Sequence, residues 1–361
     1  LSIMQSAWQA DLFKFAVHRP VDVAYGDRNK RKAIVKGPAE FVIINYDGVD
    51  IVADEIANGG FDLIIIDEAN AYKNHTTKRF KTMRKLVQPT TWLWMMTGTP
   101  AAQSPLDAYG LAKLCVPNRT PHLYTAYRDA VMYQLTRFKW VPKPNAQDIV
   151  HKVLQPAIRF TKEQCLDLPP VITVTREVPM TPQQLKYYKL LKEQMMVHAA
   201  GETISAVNAG VAINKLLQIS GGAVYTDTKE VLEFDVSSRL KIVHEVVDET
   251  SNKVLVFVPF THTIELLERY LTRHGITNEV INGSVSVNKR ADIVTHFQNN
   301  EHPKVLIIQP QAASHGLTLT AADTIIWYAP CTSVETYLQA NARIDRPGQV
   351  NAMTIVHLSG S

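Results

Sequence analysis

The stretch FDLIIIDEANAYKN, Phe61 to Asn74, decides the fold. Phe61 to Ile66 is apolar apart from Asp62, and then Asp67 and Glu68 stand side by side. A short apolar run ending abruptly in acid is the pattern of a buried parallel strand with chemistry at its C-terminal tip. In open α/β sheets that edge is where ligands sit. An Asp-Glu pair there suits phosphate chemistry, one carboxylate holding Mg²⁺ and the other taking a proton from attacking water. The same pair also suits the opening of a following helix, where negative charge is favoured by the dipole. On these residues alone the two readings stand even.

Outward from this stretch the chain alternates. SAWQADLFKFAVH has helical spacing, EFVIINYD reads as a strand, and VADEIANGG as a short helix stopped by glycines. KRFKTMRKLVQP predicts a basic helix ended by Pro89, and TTWLWMM a strand broken at Thr97-Gly98-Thr99-Pro100. Repeated strand–helix units predict a parallel sheet with helices on both faces. From about 116 to 235 helical segments dominate, around an extended Pro-marked stretch, LPPVITVTREVPM, that reads as a linker. From about 236 the alternation resumes with KVLVFVPF, TNEVING, KVLIIQP, DTIIWYAP and AMTIVHL as strands. The expected organisation is therefore α/β, with residues 1–115 and 236–361 as two parallel-sheet domains and 116–235 as a helical insertion and linker.

The 361 residues, 46% hydrophobic and 20% charged, suffice for roughly two domains with their own cores. A net charge of +4 permits a polyanionic partner without requiring one. Three scattered cysteines, Cys115, Cys165 and Cys331, form no CxxC pair, and the twelve histidines show no HExxH spacing. Neither a disulfide framework nor a thiolate zinc site is indicated, and a reducing intracellular setting fits. No apolar run reaches the ~18 residues of a membrane span.

The order of the motifs resembles a known family. Asp67-Glu68-Ala69-Asn70 resembles the DEAH-like box of superfamily 2 helicases, and the following Lys73-Asn74 is similar to the Swi/Snf-type branch. Thr97 to Pro100 stands where that branch carries its TGTP motif, and Leu1-Ser2-Ile3 followed by Trp8 resembles the segment just after its P-loop unit. RFTKEQCLDLPP, SSRLKIVHEVV, INGSVSVNKRADIVTHF and ASHGLTLTAADTIIWYAP look like its later blocks. In YLQANARIDRPGQ, Gln339, Arg343, Arg346, Gly348 and Gln349 fall at the spacing of its arginine-bearing last motif. One such motif alone is weak evidence; an ordered series is strong.

The resemblance implies two RecA-like domains that hydrolyse ATP with Mg²⁺ at their interface and move on double-stranded or branched DNA. Asp67 would hold the Mg²⁺, Glu68 would orient or deprotonate water, and Arg343 and Arg346, three apart on a predicted helix, would act as arginine fingers. Gly316 and Gln339 would contact nucleotide, with Gly316 allowing close backbone approach. Thr97, Thr99 and Asn70 would couple nucleotide state to the rest of the chain; Asn70 replaces the family's usual His and cannot change charge near neutral pH. DNA contacts would come from strand-end loops at Asn45, Tyr46, Thr261, Gly283, Ser284 and Arg290. Two basic clusters, Arg28 to Lys32 and Lys78 to Lys85, read first as solvated faces and second as non-specific DNA contacts.

The 361 residues contain no G-x-x-x-x-G-K-[ST]. The resemblance puts that motif ahead of Leu1, and the expectation is a piece of a complete ATPase, acting inside a cell (cytoplasm, nucleoid or a phage-infected cell). The chain by itself is then expected to bind ATP poorly. The alternative is a degenerate, non-catalytic DNA-binding module. A two-domain transferase binding a nucleotide-sugar is the third reading, disfavoured by the motif order.

Overall fold

The computed structural model describes residues 8–101, 103–137, 139–201, 206–225, 231–313 and 317–360. The chain divides into two compact units, residues 1–160 and 161–361. Residues 116–235 are shared between them.

In the first unit β1 (Val21–Val23) pairs in parallel with β2 (Phe41–Ile43), and β3 (Leu63–Ile66) in parallel with β4 (Trp92–Met95). Helices return the chain between them. The helix Arg28–Val35 starts where Asp27 accepts the Lys30 N–H at 2.9 Å, and Lys78–Leu86 starts at Thr77, which caps Phe80 at 3.3 Å. β5 (Met132–Thr136) and β6 (Lys139–Pro142) form an antiparallel hairpin that the sequence pattern did not announce. The core under β3 gathers Ile66, Ala69, Tyr72, Phe80, Met83 and Leu86.

β3 is less buried than an unbroken apolar run predicts. Ile66 is buried, but Ile65 is exposed, as are Trp92 and Trp94 on β4. Alternate side chains of a strand face opposite ways; here one face meets the helices and the other is open.

In the second unit the remaining strands are β7 (Val171–Val178), β8 (Ala223–Tyr225), β9 (Val231–Glu233), β10 (Lys253–Phe257), β11 (Asn278–Ile281), β12 (Val305–Ile308), β13 (Ala322–Trp327) and β14 (Met353–Gly360). Six of them form one sheet in the order β11-β12-β10-β13-β14-β7, with every neighbouring pair parallel. β10 lies in the middle, and the chain winds first to one side of it and then to the other. Val254 and Val256 enter the core with Leu240, Val243, Ile264 and Leu267. Leu255 and Phe257 enter a second core with Ile293, Phe297 and Ile344. All four of these strand residues are 0% exposed, which explains why β10 reads as continuous apolar sequence.

The Pro-marked stretch expected as a linker is instead the edge strand β7. It pairs with β14 from Val171–Met353 to Val178–Gly360. Its polar alternation fits an edge position, and Pro169 and Pro170 lie before the strand begins and Pro179 after it ends.

Candidate functional site

The acid loop of the first unit is held from below. Its backbone joins the turn after β4: Met96 N–H donates to Ile66 O, and Ala69 N–H to Met96 O, each at 2.8 Å. The Tyr46 hydroxyl donates to the Asp67 carbonyl and lies 3.2 Å from that of Glu68. Burial, with the nearby Asp67 carboxylate, pushes the Tyr46 phenol well above its usual pKa, so it remains a donor. Its ring packs edge-on to Tyr72 at 5.7 Å and lies under the Arg79 guanidinium at 5.2 Å.

So anchored, Glu68 takes φ 49° and ψ 54°, and it is the only non-glycine residue at positive φ among those described. Such a conformation costs about 1–3 kcal/mol and persists only where its surroundings impose it. Both carboxylate side chains are exposed at the strand tip. One Asp67 oxygen accepts the Glu68 N–H at 3.0 Å and the other the Trp8 indole N–H at 3.1 Å. The segment that follows, Ala69–Tyr72, is a single 3₁₀ turn rather than a long helix.

Exposed hard-oxygen donors at a strand tip fit a hydrated Mg²⁺, which is commonly bound by one or two carboxylates with waters and phosphate oxygens. Among the described residues no group of three or more His, Cys, Asp or Glu side chains could hold a metal unaided. Asp67 is the residue that could hold such an ion, with water and phosphate completing its shell.

Thr97 and Thr99 sit in the adjoining turn, where Thr97 Oγ1 accepts the Thr99 N–H at 3.3 Å. The connection to the acid loop runs through the Met96 backbone. Asn70 lies within the 3₁₀ turn.

The second unit carries the arginine motif. The predicted helix through Arg346 ends early, spanning Val334–Asn341, so Arg343 and Arg346 do not share a helical face. They lie in the turns beyond it, where Arg343 N–H reaches Ala340 O and Arg346 N–H reaches Ile344 O. Both guanidinium groups converge on the Leu317 carbonyl, at 3.3 Å from Arg343 and 3.0 Å from Arg346. Gln349 fixes this turn. It is 5% exposed, and its amide donates to Ala322 O at 2.9 Å and Ile344 O at 3.3 Å. Gly348 permits the reversal with φ 100°. Gln339 is half-buried on the helix ahead. Gly316, like Leu1-Ser2-Ile3, lies outside the described residues.

The expected DNA-contact residues fall into two groups. In the second unit Thr261, Gly283 and Ser284 lie just past the C-terminal ends of β10 and β11, and Arg290 donates to Asn282 O at 3.5 Å. Gln309, just past β12, joins these loops by accepting the Gly283 N–H at 3.2 Å and donating to Pro259 O at 3.4 Å. Sequence reading missed Gln309, although a polar residue at the tip of an all-apolar strand was the available signal. In the first unit Asn45 accepts from Arg31 at 2.8 Å, and the Tyr46 hydroxyl is engaged under the acid loop. The basic clusters are partly neutralised: Lys32 pairs with Glu55, Lys78 with Asp50 and Arg79 with Asp47.

A parallel α/β chain with an acid pair on a strand tip and an arginine-bearing turn belongs to the class of RecA-like helicase and ATPase domains. Residues 1–225 match the model of the SNF2-related domain, and residues 238–348 that of the helicase conserved C-terminal domain; the chain belongs to the SNF2-related family of helicase-type hydrolases. A mouse chromodomain-helicase-DNA-binding protein 1-like is 24% identical over 100% of this chain and 41% of its own length. An uncharacterized ATP-dependent helicase of Mycoplasma genitalium is 22% identical over 97% of this chain and 34% of its own. The chain thus spans well under half the length of these relatives. The Sulfolobus solfataricus SWI2/SNF2 ATPase core, solved in complex with dsDNA, is similar at 22% identity with a TM-score of 0.43, covering 100% of this chain and 75% of that one. No helix among the described residues is long and apolar enough to cross a membrane.

Proposed function

We propose that this chain is the motor part of a DNA-dependent ATPase that hydrolyses ATP with Mg²⁺ to move on double-stranded or branched DNA inside a cell. One observation carries the reading: Glu68 is held at positive φ beside Asp67 on a strand tip, by contacts from Tyr46 and Met96. Strain of this kind clusters at functional sites. Family membership and the names of the relatives support the same reading.

In this proposal Asp67 holds the metal, which would neutralise charge on the phosphates when bound. Glu68 orients the attacking water and accepts its proton. Arg343 and Arg346 stabilise the negative charge that develops on the phosphoryl group, while Gly316 and Gln339 contact the nucleotide. Thr97, Thr99 and Asn70 link the acid loop to its surroundings. The strand-end residues Thr261, Gly283, Ser284 and Arg290 supply sequence-independent contacts to DNA phosphates.

The test is DNA-stimulated ATP turnover by a longer chain carrying a glycine-rich phosphate loop ahead of Leu1, compared with its Glu68→Gln variant. Turnover should be abolished while nucleotide binding persists. Normal turnover in the variant removes Glu68 from its role. DNA binding without turnover in the unsubstituted chain would leave the non-catalytic DNA-binding module as the better reading.

A further inference from the structure

The helix Lys78–Leu86 reads in sequence as one basic face, but its cations have different surroundings. Lys78 and Arg79 meet Asp50 and Asp47. Arg84, by contrast, lines a cavity of about 220 Å³ in the first unit together with Lys113, His75, His122, Tyr109 and Tyr124. Among the described residues no carboxylate lines it.

Lys113 is the informative member. It is 7% exposed, and among the described residues its ammonium donates to the Pro121 carbonyl at 3.4 Å. An ammonium withdrawn from water without a counter-ion is costly. Burial and then the Arg84 charge hold its pKa below the ordinary lysine value. Both effects are relieved by an anion, and a second cation already faces the place where one would sit.

The walls are aromatic. His75 stacks on Tyr124 with ring centroids 4.7 Å apart, and Tyr109 meets both edge-on at 5.1 Å and 5.3 Å. The Tyr109 hydroxyl is directed to the Pro121 and His122 carbonyls, so its ring rather than its oxygen serves the cavity. Two cations exclude a cationic guest of the kind aromatic cages often take. A phosphate monoester carries nearly two negative charges at neutral pH and matches the two cations. A flat base attached to it matches the ring surfaces.

We propose that this cavity binds a nucleotide bearing a terminal phosphate, with Arg84 and Lys113 on the phosphate and the His75–Tyr124 wall against the base. Arg84 offers a fork of donors and Lys113 a point charge. The same chemistry is presented by a free nucleoside monophosphate and by the phosphorylated end of a nucleic-acid strand. The proposal does not depend on ATP hydrolysis at Glu68.

The test uses the full 361-residue chain and calorimetric titration. The probes are adenosine monophosphate, adenosine, inorganic phosphate, and a short single-stranded oligonucleotide with and without a 5′-terminal phosphate. The monophosphate should bind more tightly than adenosine and than inorganic phosphate, each by about tenfold or more. Arg84→Ala and Lys113→Met should each weaken it by about tenfold or more. A gain in oligonucleotide affinity from the 5′-terminal phosphate that Arg84→Ala removes assigns the site to strand ends, and no such gain, with the monophosphate still bound, assigns it to free nucleotide. Equal binding of adenosine and its monophosphate overturns the proposal, as does unchanged affinity in Arg84→Ala. Tighter binding of inorganic phosphate than of the monophosphate overturns it too. Should Lys113→Met fail to fold, Arg84→Ala still decides, because Arg84 is exposed and its loss leaves the helix core intact.

Discussion

Gly110 sits inside the helix Ala108–Cys115, where alanine would ordinarily be preferred by up to about 1 kcal/mol. An alanine Cβ at this position would lie 2.3 Å from Lys73 O, 2.5 Å from Tyr72 O and 2.6 Å from Lys73 C. These are backbone atoms, so no side chain can rotate away. The helix and the 3₁₀ turn after Glu68 must separate by roughly an ångström, a small-to-large strain of about 1–3 kcal/mol or more. Because the clash is with backbone, the upper end of that range applies, and subtracting a propensity gain of about 1 kcal/mol leaves Gly110→Ala destabilising the first unit by about 2 kcal/mol. The matched control is Gly210→Ala, at an exposed position within the helix Ala206–Gly221 with nothing within 4 Å of the added carbon. There only propensity acts, and the substitution should stabilise by up to about 1 kcal/mol.

Urea titration followed by tryptophan fluorescence suits Gly110→Ala. Trp8, Trp92, Trp94 and Trp140 belong to the first unit and Trp327 alone to the second. The midpoint should fall by on the order of 0.5 M or more. Circular dichroism reads the Gly210 variant. A Gly110→Ala chain that unfolds at the same or higher urea concentration would refute the close approach of this helix to residues 72 and 73.

Three further outcomes are expected. Tyr46→Phe removes the donor beneath the Asp67 carbonyl and should cost about 0.5–1.5 kcal/mol of stability. In a longer chain carrying a glycine-rich phosphate loop it should lower turnover more than DNA affinity; the opposite pattern in kinetics and DNA titration would favour the DNA-contact role for Tyr46. Arg346→Ala in that chain should reduce turnover by about 10³–10⁵ if it acts as an arginine finger, and unchanged turnover would leave it a structural residue bound to Leu317 O. Glu55, hydrogen-bonded to Lys32 at 2.6 Å, has its carboxyl held below the ordinary value chiefly by that bond. The stability it contributes is present above the unfolded-state carboxylate pKa of about 4.3 and is lost as pH falls through the lower folded value. Glu55→Gln should therefore flatten the acid limb of the urea-midpoint profile, and an unchanged limb would show that the pair does not contribute.

The sequence by itself determined the α/β class and most elements of the second unit. Strands such as KVLVFVPF are buried on both faces, and burial on both faces writes itself as an unbroken apolar run. The resemblance of its ordered motifs to a known family also brought forward Asp67, Glu68, Arg343 and Arg346. The tertiary structure decided what local spacing does not encode. β7 resembled a linker because an edge strand borrows its regularity from its neighbour β14. The arginines left the helix because Gln349 bonds to carbonyls 27 and 5 residues away and forces a turn. Lys78, Arg79 and Arg84 share one basic run, yet the first two are matched by acids and Arg84 faces Lys113 across a cavity. Even the DEANAYKN stretch gained its defining property, a glutamate at positive φ, from Tyr46 and Met96, residues 22 before it and 28 after it. Periodicity records which face of an element is apolar; which atoms then meet is set by long-range packing and hydrogen bonding.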